Sequence, residues 1–123
     1  MAKLKLNWSS VLEYTESNVL GYAPKEGGVY RLSYKSGDEL PMFYVGQASD
    51  LEERLLKHLS ATEPNACIKS HVRDYTCYFR YAEIASLADR DGAERALYDK
   101  YAHPCNDVEP PGPPADINFE GDC

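Results

Sequence analysis

Two short apolar runs each carry a tyrosine beside a glycine: Gly28-Val29-Tyr30 and, with its tyrosine fourteen residues on, Tyr44-Val45-Gly46. A segment with helical signals follows and carries Arg54 and His58, one turn apart. Both lie at the edge of the Leu51/Leu55/Leu59 stripe, so they point toward whatever that helix packs on. Two phenols, a guanidinium and an imidazole within reach of one surface suit chemistry on a phosphodiester. Phenols and imidazoles move protons, and a guanidinium stabilises charge developing on phosphoryl oxygens. Glu94 shares a helix face with Leu97, Tyr98 and Tyr101. A carboxylate on an inward stripe is costly unless it is paired or bound to a metal. Asn106, twelve residues later and beyond Pro104, is placed to turn back toward the same site.

These side chains need elements to hold them. The stretch from Trp8 to Tyr14 reads as a short helix, with a serine N-cap and Glu13 completing a capping box. Alternation from Val29 to Tyr34 and a returning run from Pro41 to Gly46, joined by Lys35-Ser36-Gly37-Asp38-Glu39, predict a β-hairpin. Ser49, with Glu52 three residues on, opens the helix of Arg54 and His58. A short helix from Ala66 to Val72, a third strand within Tyr75–Ile84 and a last helix from Asp89 to Tyr101 follow. The expected fold class is α/β (α+β): a three-stranded antiparallel sheet flanked by helices. Pro110-Pro111-Gly112-Pro113-Pro114 cannot continue regular structure and reads as an extended arm.

At 123 residues the chain is expected to form one domain. No apolar run approaches the roughly 18 residues of a membrane span, and the N-terminus does not read as a signal peptide. The four cysteines, Cys67, Cys77, Cys105 and Cys123, form no Cys-x-x-Cys pair, so a reduced, cytoplasmic chain is expected. The net charge is −7, which runs against the basic footprint of most nucleic-acid binders. Five of the acids (Asp107, Glu109, Asp116, Glu120 and Asp122) follow Asn106, where no Lys or Arg occurs. The remaining body holds 13 basic against 15 acidic side chains, near neutrality.

Taken in order, Gly28-Val29-Tyr30, Tyr44-Val45-Gly46, Arg54, Glu94 and Asn106 resemble the GIY-YIG nuclease family. His58 matches a position where many members place His or Tyr. Residues 44–54 are similar to the excision-repair and homing-endonuclease versions. The resemblance covers about residues 27–107 and divides the chain into an N-terminal helical extension (1–26), a nuclease domain (27–107) and an acidic, Pro-rich tail (108–123).

The resemblance implies a metal-dependent endonuclease hydrolysing DNA. Mg²⁺ or Mn²⁺ would bind Glu94, with Tyr30 or Tyr44 helping to take a proton from water. Arg54 would stabilise phosphoryl charge, His58 would transfer a proton or contact phosphate, and Asn106 would position a phenol or a phosphate. Gln47 departs from the pattern, standing where repair enzymes commonly have Lys, and the hairpin tip is a few residues longer than usual. The rival reading, favoured by the charge, is a catalytically weak domain that binds nucleic acid or protein. A protein partner supplying DNA affinity fits either reading. Finally, Cys67-x-x-x-His71 and His103-x-Cys105 offer four possible zinc ligands, in spacings that match no recognised finger.

Overall fold

The computed structural model describes residues 5–101, 104–106, 110 and 113–115. The elements run β1 (Leu12–Glu13), α1 (Glu16–Tyr22), β2 (Gly28–Tyr34), β3 (Met42–Ala48), α2 (Leu51–Leu59), α3 (Ala66–Asp74), β4 (Cys77–Glu83) and α4 (Leu87–Lys100). The strands form one antiparallel sheet in the order β1-β4-β2-β3. One face of the sheet packs with α1, α2 and α3 through Val19, Tyr30, Leu32, Phe43, Leu51, Leu55, Ile68 and Phe79. The other packs on α4 through Val29, Val45, Ala82, Ala93, Ala96 and Leu97. The central strand β2 is therefore buried on both faces. Even Arg31 is covered, its guanidinium lying 4.9 Å from the Trp8 ring centroid and 5.4 Å from that of Tyr101.

Four strands stand where three were expected. The Trp8–Tyr14 segment is not a helix: Leu12 and Glu13 pair with Phe79 and Tyr78 along the edge of β4. The helix begins later because Thr15 is its N-cap, its hydroxyl accepting from the Asn18 amide. The edge of β4 offers Leu12–Glu13 backbone partners that an isolated short helix would lack. In α2 the cap is Asp50, one residue after the serine expected to fill that role, with its carboxylate accepting from the Glu53 amide at 2.9 Å. The hairpin, α2, α3, β4 and α4 otherwise lie where the periodicity put them, within two or three residues.

Two features at β3 position the site. The register slips between Leu32 and Ser33, so that Tyr44 opposes Leu32 while Met42 opposes Ser33, leaving Phe43 as the extra residue of a bulge. Phe43 and Tyr44 consequently both pack toward the α1/α2/α3 side. The outer edge of β3 is covered by the segment after α4. The Cys105 amide donates to Phe43 O, and the Asn106 side chain accepts from Val45 N at 3.1 Å and donates to Val45 O at 2.8 Å.

Cys67 and Cys105 are joined as a disulfide with Cα atoms 5.2 Å apart, whereas the cysteine spacing led us to expect reduced thiols. Their separation of 38 residues hid the pairing; only the return of the segment after α4 across β3 brings them together. Among the described residues, no helix is long and apolar enough to cross a membrane. Ala115 N donates to Gly92 O and Pro110 O accepts from Arg95, so the described part of the proline arm lies along α4. His103 and the acids of the tail lie outside the described residues.

Candidate active site at the edge of β3

The site is built in two depths. At the bottom is Tyr30, fully buried, with its phenol 2.6 Å from His58 Nε2. On its other nitrogen His58 meets Glu63, with Nδ1 2.9 Å from Oε2, and Glu63 Oε1 accepts from the Asn65 amide. Only the carboxylate can accept at Nδ1, so that nitrogen carries a hydrogen and the Nε2 lone pair faces the tyrosine hydroxyl. Both members of this hydrogen-bonded pair are buried, at 3% exposure for His58 and 6% for Glu63. Burial pushes the His58 pKa down, against the upward pull of Glu63, with Arg54 and Lys57 adding to the lowering. The imidazole is thus held neutral.

This has a consequence for stability. The folded pKa of His58 lies below the unfolded value of about 6.5, so the unfolded chain takes up the proton first on acidification. The stabilising contribution is fully present above about pH 6.5 and is lost as pH falls below it. Urea melts should show the midpoint falling from pH 8 to pH 5, and His58→Asn should flatten that part of the profile. An unchanged midpoint in the parent chain would contradict the neutral buried imidazole.

Above this layer sit Tyr44 and Arg54. The Tyr44 ring stacks near Tyr30, with centroids 6.1 Å apart, and meets His58 edge-on at 5.3 Å. It is only half-buried, with Tyr30 directly behind it. Burial raises the pKa of both phenols, well above the usual tyrosine range for Tyr30, while the Arg54 guanidinium beside them pulls downward. Arg54 Nε is buried and, among the described residues, has no hydrogen-bond partner. Gly46 makes this packing possible. A Cβ there would fall 2.5 Å from the Tyr30 hydroxyl and 2.9 Å from the Tyr44 ring. Tyr30 has no room to yield, so Gly46→Ala is expected to cost about 1–3 kcal/mol and to disturb both phenols, as denaturant melts and tyrosine fluorescence would report.

Across the sheet edge, α4 presents Asp91 and Glu94 one turn apart. Gln47 on β3 donates to Asp91 and lies close enough to Glu94 to lower its pKa. Burial raises the Glu94 pKa, with Gln47 opposing, Asp91 reinforcing and Arg54 opposing. Glu94 in turn raises the pKa of both tyrosines, so its carboxyl acts on the same space as their hydroxyls. An open cleft lined by Gln47, Ser49, Asp50, Glu53, Arg54 and Lys57 leads to this edge.

The structure therefore gathers Tyr30, Tyr44, Arg54 and His58, with Glu94 within electrostatic reach, but not on one concave face: Tyr30 and His58 lie beneath the others. Asn106 is close, yet both ends of its amide are engaged by the Val45 backbone instead of a phenol. Sequence reasoning missed Glu63. Its only signal is a carboxylate five residues after His58 within a loop, and nothing local marks such a residue as buried.

Comparison with known proteins turns on this arrangement. No family model matches the chain, and no curated protein does. Similar solved structures include three point mutants of the GIY-YIG N-terminal endonuclease domain of UvrC from Thermotoga maritima, each bound to its catalytic divalent cation. One has 24% identity and a TM-score of 0.53, covering 73% of this chain and 92% of that one. The other two have 22% identity and TM-scores of 0.55, covering 75% and 93%. The fold is GIY-YIG-like. In this GIY-YIG-like fold the two named motifs are the facing ends of β2 and β3, where Tyr30 pairs with Gly46 across the ladder. The glycine of the second motif thus leaves space for the tyrosine of the first.

Proposed function

We propose that the chain is a metal-dependent endonuclease that hydrolyses DNA phosphodiester bonds at the edge of β3. The observation that carries this reading is the mutual influence of Tyr44, Arg54 and Glu94, three groups brought from a strand and two helices on opposite faces of the sheet. The donor set suits a hard divalent cation, Mg²⁺ or Mn²⁺, because the Glu94 carboxylate and its neighbours offer oxygen ligands and no soft ones. Glu94 would hold the ion, which when bound makes water a better nucleophile and polarises the phosphodiester.

The chain's own residues then handle charge and protons. Arg54, which lines the open cleft, stabilises negative charge on the phosphoryl oxygens. Both phenols are protonated in the free protein, so a tyrosine acts as a relay and not as a standing phenolate. The Tyr44 oxygen accepts the water proton while its own proton passes to Tyr30. The Tyr30 proton passes to His58 Nε2. Glu63, accepting from Nδ1, stabilises the imidazolium that forms. Tyr44 is the member at the surface and Tyr30 the one behind it. Asn106 acts by bracing Val45, the residue after Tyr44.

A second reading has its own support. Asp50 and Glu53 offset Arg54 and Lys57 in the cleft, and the whole chain is acidic, so affinity for DNA would come from a partner protein. Plasmid nicking with Mg²⁺ or Mn²⁺, using the intact chain and one ending after Asp107, separates the two. Nicking supports the enzyme. Binding of DNA or of a protein without cleavage in either form points to a binding module.

A further inference from the structure

Beside Phe43 of β3, on the sheet face that also carries the phenols, three soft ligands meet. Cys67 and His71 are four residues apart on α3 and share a face. The segment that follows α4 brings Cys105 to them. His71 Nδ1 lies 3.4 Å from Cys105 Sγ and 3.9 Å from Cys67 Sγ. Around tetrahedral zinc, with Zn–S about 2.3 Å and Zn–N about 2.0 Å, neighbouring ligand atoms stand roughly 3.5–3.8 Å apart. The nitrogen is therefore close to ligand spacing from both sulfurs. The imidazole is also fixed in orientation, stacked on Phe43 at 4.6 Å with 14° between planes and flanked by Tyr75. Cys105 is buried while Cys67 and His71 are half-buried, so an ion can enter from the α3 side.

We propose that the reduced Cys67–Cys105 pair and His71 Nδ1 form a zinc(II) site, of which the disulfide is the oxidised, metal-free form. A dithiol reductant delivers two electrons and two protons, the S–S bond breaks, and the reductant becomes a disulfide. One Zn²⁺ then replaces the two thiol protons, which leave to solvent. The hydrogen that Nδ1 now donates to Cys67 O at 2.8 Å moves to Nε2. The fourth position is taken by water or by one further ligand. A reducing compartment favours this form, since paired cysteines there more often bind metal than cross-link. Either form ties α3 to the segment whose Asn106 braces Val45, so the site couples thiol state and metal to the edge strand of the phenol cluster. The proposal does not depend on the nuclease reading.

The test titrates the reduced full-length chain, freed of reductant under argon, with Co²⁺ and then Zn²⁺. One Co²⁺ per chain should bind with a thiolate-to-cobalt charge-transfer band, and one Zn²⁺ should displace it. The oxidised chain should show no such band. His71→Gln, which retains both thiols and can be folded as the disulfide before reduction, should bind roughly tenfold more weakly or worse. Cys105→Ser should lose the band, and Cys77→Ser should keep it. Cobalt bound at carboxylates gives no thiolate band and is thereby distinguished. The inference is overturned if the reduced chain shows no thiolate band while its thiols react freely with an alkylating agent. It is equally overturned if His71→Gln binds as tightly as the parent.

Discussion

Glu94→Ala should lower Mg²⁺- or Mn²⁺-dependent nicking roughly a thousandfold or more, the scale of losing a principal group for stabilising transition-state charge. The carboxyl sits half-buried on α4 with its pKa raised by burial, facing Gln47 and within the field of Arg54. Without a cation this is an uncomfortable place for a charge, and Asp91 one turn away makes it worse. A divalent ion would reverse that penalty, which is why the same position suits a metal ligand. The substitution removes little apolar packing, so circular dichroism and the melting transition should stay close to the parent's. Tight Mn²⁺ binding, read by paramagnetic relaxation of water, should be lost in parallel with cleavage. Undiminished nicking by Glu94→Ala would sink the proposed mechanism. Intact Mn²⁺ binding with cleavage lost would move the metal elsewhere and leave Glu94 another role.

Tyr44→Phe should reduce cleavage by roughly 10²- to 10⁴-fold, the range for loss of a proton-transferring group, with little effect on stability. Its ring is half-buried and phenylalanine fills the same volume. Tyr30→Phe should slow cleavage as well, because the relay to His58 is cut, but it carries a second penalty. It leaves His58 Nε2 buried without its 2.6 Å partner, at a cost of about 1–3 kcal/mol. The contrast between a kinetic defect alone and a kinetic defect with a stability defect separates the exposed tyrosine from the buried one. Equal destabilisation by the two changes would contradict the layered arrangement. Full activity in Tyr44→Phe would remove the phenol from the reaction.

Much of this site is legible in the amino-acid sequence. The spacing from Tyr44 to Arg54 and the inward placement of Glu94 are local facts. Helical and strand periodicity turn them directly into direction, because a side chain's face follows from residue count within one element. The same logic locates the hairpin, α2, α3, β4 and α4. It fails at Leu12–Glu13, where an available sheet edge outweighs a capping-box pattern, and at Asp50, where two good capping residues stand side by side.

By itself, then, the sequence determined the types of chemistry available: phenols bracketed by glycine, a guanidinium ten residues on, a carboxylate facing inward, and possible soft ligands at Cys67, His71, His103 and Cys105. Only the tertiary structure decided depth and partnership. It buried Tyr30 beneath Tyr44, seated His58 on Glu63, turned Asn106 onto the backbone of β3 and closed Cys67 on Cys105. Each of these joins residues from different elements, and their distances depend on how helices and strands pack across the sheet. Periodicity within one segment carries no information about that packing, so it names the groups without giving their order of exposure.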